Sequence, residues 1–274
     1  MPVHINNKLP PTAAFRVLSA KNAKSKVKYA KSLTKSKERI QQHGEVFTPP
    51  EIVNDMLKML PSKGKESVWR IENPAKFLEP ACGEGAFLTE IYRRKLKQVD
   101  SNYNKEKKNN PSKKKEELQE WWEFNAALQT SSIYGIELLE DNAEQCTMNL
   151  IRIFLSFYMK NFPKTQNEKV IETIQFLISR NIIQGNALTY RRCSVSCGNV
   201  CDECEEMIFS EWIPKTENGA FLLIRKDYTY EGIVKAESIK KEIQNSLFAE
   251  VEKNVEHGLK KEYPPIFWKE IKYA

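Results

Sequence analysis

The sequence predicts an α/β protein built on a doubly wound, mostly parallel sheet. Three observations carry this. Short apolar runs, Lys76-Phe-Leu-Glu79, Ser132-Ile-Tyr-Gly-Ile-Glu137 and Asn181-Ile-Ile-Gln184, alternate with longer segments of helical period, the pattern of a parallel sheet with crossover helices. Glycine is scarce, 10 in 274 residues, yet Gly83, Gly85, Gly135 and Gly185 all fall at strand ends or strand-to-helix turns. With 41% hydrophobic and 29% charged residues the chain can bury a sizeable core, which excludes collagen-like, mucin-like and wholly disordered classes.

In chain order, residues 1–40 hold ten Lys or Arg against the single acid Glu38, so the net charge of +7 is a basic leader on a near-neutral body. Residues 12–42 place Phe15, Val17, Leu18, Val27, Tyr29, Leu33 and Ile40 at loose helical spacing. We therefore expect a basic helical extension over 1–43, suited to a polyanion such as DNA. Thr48-Pro49-Pro50 reads as a helix start, with Thr48 as N-cap and Ile52, Val53, Met56 and Leu57 on one face. The first strand, 76–79, leads through Pro80-Ala-Cys-Gly-Glu-Gly85 into a helix bearing Phe87, Leu88, Ile91 and Leu96. Residues 97–120 turn polar and lysine-rich, so they read as an insertion, helical in its second half. There Trp121-Trp122 and Phe124 re-enter the core, with base stacking the other use for the Trp pair.

The second strand precedes a long apolar helix, 141–160, and another helix at 167–179 precedes the third strand. Beyond Asn186 the pattern changes. Met207–Ile213 and Ala220–Tyr230 read as two strands joined at Glu217-Asn218-Gly219, a hairpin signal. A charged helix over 232–258 and a tail complete the division: extension 1–43, main domain 44–230 with the 97–120 insertion and a Cys-rich loop 190–206, and C-terminal helix and tail 231–274.

The strand ends concentrate the chemistry. Glycines in Glu79–Gly85 let a ligand approach the backbone, and the following helix N-terminus suits an anion. Glu137, closing the second strand, is placed to accept hydrogen bonds from two ribose hydroxyls. The third strand end, Gly185-Asn-Ala-Leu188, offers an amide to the edge of a base. Ligands of open α/β sheets bind at this carboxyl edge.

On these residues the chain resembles the class I S-adenosylmethionine-dependent methyltransferases, most closely the adenine-N6 DNA methylases of restriction–modification systems. Gly44-Glu-Val-Phe-Thr-Pro-Pro50 resembles the segment closing over the methionine end of the cofactor. Glu79-Pro-Ala-Cys-Gly-Glu-Gly85 resembles the cofactor loop, Tyr134-Gly-Ile-Glu137 the ribose-binding strand end, and Asn181–Leu188 the adenine-binding strand end. The resemblance spans 44–188 and implies a Rossmann-like methyltransferase core, truncated or remodelled after its third strand. It also implies S-adenosylmethionine as cofactor. The implied contacts are Phe47, Thr48, Glu79, Pro80, Ala81, Gly83, Gly85, Glu137, Leu138, Asn186 and Ala187. Asn186 stands where these methylases usually have Asp.

The larger departure is catalytic. The family holds its target amino group with an Asp/Asn/Ser-Pro-Pro-aromatic tetrapeptide after the fourth strand. The three Pro-Pro pairs here follow Leu9, Thr48 and Tyr263, and none fits. Ser210, Glu211 and Trp212 stand where that loop would come and are the substitute candidates, against an ordinary strand with a buried Trp. Otherwise a partner supplies the loop and target recognition: a methylase or specificity chain, a helicase or a nuclease. The implied role is a methylase subunit in restriction–modification or phage defence. The alternatives are an inactive cofactor-binding module, as sensor or assembly subunit, and methylation of RNA or protein.

Cys193-x3-Cys197-x3-Cys201-x2-Cys204 packs four thiols into one loop. That spacing suits structural zinc, the alternative being four reduced cysteines. Six cysteines without an apolar leader point to a reducing, cytoplasmic setting. The longest apolar run, Leu150 to Met159, contains Arg152 and is short of the roughly 18 residues a membrane span needs.

Overall fold

The computed structural model describes residues 48–64, 67–192, 204–236 and 258–273. All belong to the second of two units into which the chain divides, Phe47–Ala274. The expected basic extension and residues 237–257 of the charged helix lie outside the described residues.

Helix α1, Pro50–Lys58, starts where Pro49 takes the N-cap position and Pro50 the first turn. Thr48, expected as the cap, makes no side-chain cap hydrogen bond, because the extended Pro49 stands between it and the helix. Three parallel strands follow: β1, Phe77–Glu79; β2, Ile133–Glu137; and β3, Ile182–Gln184. They lie in the order β1-β2-β3, with Phe77 opposite Ile133 and Gly135 opposite Ile182. The connections are helical: α2, Ala86–Asn109, and α3, Lys115–Thr130, between β1 and β2, then α4, Glu140–Asn161, and α5, Glu168–Asn181, before β3. This is the expected α/β arrangement.

The lysine-rich segment is not a separate loop. α2 runs unbroken to Asn109, because Val99 continues its buried face and Asp100 is anchored. One Asp100 carboxylate oxygen accepts from Trp122 Nε1 and from Asn161 Nδ2, both at 2.8 Å. Trp122 is wholly buried, stacked on Tyr158 and edge-on to Phe162. It is therefore a core anchor tying α3 to α4.

One sheet face carries the helices. The opposite face, Tyr134, Ile136 and Ile183, packs on Met207, Phe209 and Tyr230. These come from and beside an antiparallel hairpin, so the fold after β3 is remodelled as expected. After the short pair β4, Arg191–Arg192, and β5, Glu205–Glu206, the hairpin strands are β6, Ile208–Glu217, and β7, Ala220–Thr229. Asn218 and Gly219 both have positive φ, 50° and 77°, as a two-residue turn matched to strand twist requires. The tail departs from expectation. Past a helical segment at 230–236, β8, Leu259–Glu262, and β9, Ile266–Phe267, pair with β7, and a 3₁₀ turn follows at Trp268–Tyr273. Trp268 against Phe124 and Lys269 beside Glu123 dock it on α3.

Within β6 and β7, Asp227 receives both ends of the Arg225 guanidinium, at 2.8 and 2.6 Å, and the Ser210 hydroxyl at 2.7 Å. Burial pushes this carboxyl up, but those hydrogen bonds and the charges of Arg225 and Arg180 outweigh it and hold the group below its ordinary range.

Beneath β1, Lys95 of α2 is wholly buried with no carboxylate beside it. Its ammonium donates to Ala75 O at 2.8 Å, Ser132 Oγ at 2.9 Å and Gln129 Oε1 at 3.3 Å. It thereby ties α2 to the entries of β1 and β2. Burial pushes its pKa down to about 7. The unfolded chain binds a proton there that the folded chain refuses between about pH 7 and the ordinary lysine range, so stability rises with pH across that window. Urea unfolding from pH 7 to 9.5 should show a contribution of up to about 1.4 kcal/mol per pH unit. Lys95→Met should remove that slope; an unchanged slope would refute the assignment.

Candidate functional site

The carboxyl ends of β1, β2 and β3 bring together three segments distant in sequence. At the first, the chain leaves β1 at Glu79 and turns through Pro80–Gly85 into α2. Cys82 N–H donates to Ile136 O, and Gly85 N–H to Cys82 O, folding the turn back over the end of β2. Gly85 takes the N-cap position of α2 with φ 85°, a conformation costly for any side chain. A Cβ there would also lie 2.6 Å from Cys146 Sγ of α4. Asn149, one turn further along α4, donates from Nδ2 to Glu84 O at 2.9 Å. The first turn of α2 has no side-chain cap and no acidic residue, so its leading N–H groups remain available to an anion.

The second segment is Glu137. Its carboxylate is buried, and each oxygen holds a backbone amide: Oε2 accepts from Gly83 N–H at 2.8 Å and Oε1 from Leu139 N–H at 3.0 Å. One side chain thus joins the turn after β1 to the turn after β2. Each carboxylate oxygen retains acceptor capacity toward a further hydroxyl. Leu138, beside it, is half-buried. Gly135 in the same strand permits close packing, since a Cβ there would meet Leu88 at 2.8 Å.

At the third segment, Asn186 Oδ1 accepts from Leu188 N–H at 2.9 Å, an Asx turn that sets the chain leaving β3. Its backbone N–H bonds Arg191 O. Asn186 and Ala187 are half-buried, whereas Leu188 is 89% exposed. With the Asn186 carbonyl engaged, the side chain meets a ligand chiefly through its Nδ2 donor, unlike the aspartate usual at this place.

Burial pushes the Glu79 carboxyl up, offset in part by the Ala81 N–H that it accepts. Pro80 and Ala81 are exposed at the rim. The Cys82 thiol is pushed far up by a hydrogen bond with Cys146 and by burial. Such a thiol is inert as a nucleophile, so its small size accounts for its place here. Thr48 is half-buried two residues before α1, and Phe47 lies outside the described residues.

The substitute catalytic candidates are held by other partners. Ser210 is fully buried with its hydroxyl on Asp227, and Glu211 pairs with Lys76. Trp212 packs edge-on against Phe176 of α5 beneath Arg225. Tyr134 donates its hydroxyl to Ser210 O at 3.0 Å. This Ser210–Asp227–Arg225 network was not legible beforehand, since its members are brought together by cross-strand register (Ser210 opposite Asp227, Trp212 opposite Arg225).

Of the cysteine loop, Cys193, Cys197 and Cys201 lie outside the described residues. Cys204 is disulfide-bonded, a pairing that competes with a metal for its sulfur. Among the described residues no cluster of His, Cys, Asp and Glu is arranged to hold a metal, and no helix is long and apolar enough to cross a membrane.

A family model described as "MmeI, DNA-methyltransferase domain" matches residues 63–256, more than half of the chain. No curated protein and no solved structure matches.

The close approach at Gly85 gives a direct check on the loop. Gly85→Ala should lower stability by about 1–3 kcal/mol through positive φ and collision with the Cys146 sulfur. Cys146→Ala in that background should recover part of the loss, giving a favourable coupling in a double-mutant cycle followed by thermal unfolding. Strict additivity would contradict the contact.

Proposed function

The chain belongs to the MmeI DNA-methyltransferase domain family, a methyltransferase family of restriction–modification type, and from that premise we propose that its β1–β3 carboxyl edge binds S-adenosylmethionine. The observation that carries the reading is the Glu137 carboxylate, buried and already clamped to Gly83 and Leu139 at 2.8 and 3.0 Å. Two ribose hydroxyls donate to its remaining lone pairs without moving it. The uncapped first turn of α2 receives the methionine carboxylate, and Glu79 offers an acceptor to the ammonium group. Pro80, Ala81, Gly83 and Gly85 line the backbone approach. Leu138, Asn186 and Ala187 border the adenine, with Asn186 Nδ2 as a donor to the ring edge. Phe47 and Thr48 close the methionine end.

The cofactor supplies a methyl group already activated as a sulfonium, so the chain's task is to hold and orient it. It holds Ser210, Glu211 and Trp212 in the β6–β7 packing, and no Asp/Asn/Ser-Pro-Pro-aromatic loop occurs in the sequence. The reading is therefore a methylase subunit that modifies adenine N6 in DNA once a partner contributes that loop and the target recognition. The basic leader, residues 1–43, adds sequence-independent contact with phosphates. In the reduced chain, Cys193, Cys197, Cys201 and Cys204 would hold one structural zinc, remote from methyl transfer.

The missing loop also favours a second reading, a cofactor-binding module that assembles or senses without transferring methyl. Calorimetric titration of S-adenosylmethionine should show one saturable site, with affinity lost at least tenfold in Glu137→Ala and mostly retained in Ser210→Ala. No binding by the wild-type chain would overturn the reading. Tritiated-methyl transfer to DNA by the complex with its partner separates the two roles: transfer identifies the methylase, and binding without transfer the module.

A further inference from the structure

Resting on that reading and deepening it, we propose that the open side of β1 is a docking slot. It accepts a β-strand from a second polypeptide, laid parallel to β1, whose following loop reaches the cofactor.

The sheet is unfinished on that side. β1 is an end strand, paired with β2 and with no second neighbour among the described residues. Phe77 N–H bonds Ser132 O toward β2. In a parallel ladder alternate residues serve opposite edges, so the N–H and C=O of Leu78 face outward. The Leu78 side chain is 40% exposed, while its register partner Tyr134 is 7% exposed. Parallel sheets are otherwise buried elements, and an open apolar edge is a template for another strand.

The helix layer is wider than the sheet. α1 lies beyond α2 on the β1 side: Arg94 of α2 donates to Asn54 of α1 and covers Trp69, which stacks on Phe77 of β1. Val53 and Leu57 are the buried residues of α1. Ile52, Met56 and Met59 form a second apolar stripe at helical spacing and stay 49%, 52% and 84% exposed. No described strand lies on that side of β1 to face them.

The occupant follows from polarity and chemistry. In open α/β sheets the ligand crevice lies where strand order reverses, between strands whose connections leave in opposite directions. Here both crossovers run one way, β1 to β2 to β3, so the described residues build one wall of that crevice. Only a parallel strand carries its following loop to the carboxyl edge, where Gly83 and Glu137 stand. A second copy of this chain has no such loop to bring, since its Pro-Pro pairs follow Leu9, Thr48 and Tyr263. The fitting partner is a different polypeptide with a short apolar strand followed by an Asp/Asn/Ser-Pro-Pro-aromatic loop. Its backbone pairs with Leu78, and its side chains cover Leu78 and the α1 stripe.

The test places the photo-cross-linking residue p-benzoylphenylalanine at position 78 of the full chain, expressed in the cells that naturally carry it. The cross-linked peptides are then sequenced. The expected product joins position 78 to the strand directly ahead of an Asp/Asn/Ser-Pro-Pro-aromatic sequence in another protein, and the same residue at position 159 gives no such product. Cross-linking to this chain, to a protein lacking that sequence, or to nothing would overturn the proposal. Leu78→Lys and, on the helix, Met56→Lys should each lower methyl transfer by the purified complex at least tenfold and keep S-adenosylmethionine affinity within twofold. Unchanged transfer in both would overturn it as well. Wild-type chain that binds no cofactor would instead refute the functional reading beneath it.

Discussion

The organisation of the strand ends depends on one buried carboxylate. Glu137 ends β2 and spans to Gly83 in the turn after β1 while holding Leu139 in the turn after itself. An ionised carboxylate taken out of water must find hydrogen-bond donors or neutralise, and the donors nearest to Glu137 are the main-chain amides of the two turns. Its own solvation requirement thus fixes the loop geometry. The same bonds orient it so that its spare lone pairs face a ligand. A neutral residue there would leave two N–H groups unsatisfied.

Packing around that point explains the glycines and cysteines of the site. α4 approaches the β1–α2 turn so closely that Gly85 has Cys146 sulfur where a Cβ would be, and Cys82 shares a hydrogen bond with the same sulfur. Small residues are the condition for a helix, a turn and a strand to converge. Lys95 fixes the opposite end of β1 through three acceptors. The two ends of a three-residue strand are therefore held by side chains from elsewhere, and its lateral edge is left open. The hairpin β6–β7 covers one face of β2 and β3 and leaves Leu78 exposed. The fold concentrates its rigidity at the cofactor edge and leaves β1 open beside it.

Much of this was legible in the sequence because it rests on local signals. The three strands, the long helices and the Asn218-Gly219 turn follow from periodicity and from residues that tolerate positive φ. Glu79, Gly83, Gly85, Glu137 and Asn186 could be singled out because strand ends are where open sheets bind ligands. What escaped was set by tertiary contact. The unbroken α2 depends on Asp100 meeting Trp122 and Asn161, residues 22 and 61 positions away. The tail looks like a helix with a coda in sequence, yet β8 and β9 form because β7 offers them an edge. The burial of Ser210 arises from register with Asp227, which no local pattern announces. The Asx turn at Asn186 likewise exchanges the expected acceptor for a donor.

The most direct measurement is a backbone amide NMR titration of the isotope-labelled chain with S-adenosylhomocysteine, the demethylated cofactor. A site built on Glu137 predicts saturable shifts at Gly83, Leu139 and Leu188 and in the first turn of α2, all reporting the same dissociation constant. Absence of shifts, or shifts confined to residues away from the β1–β3 carboxyl edge, would contradict the account.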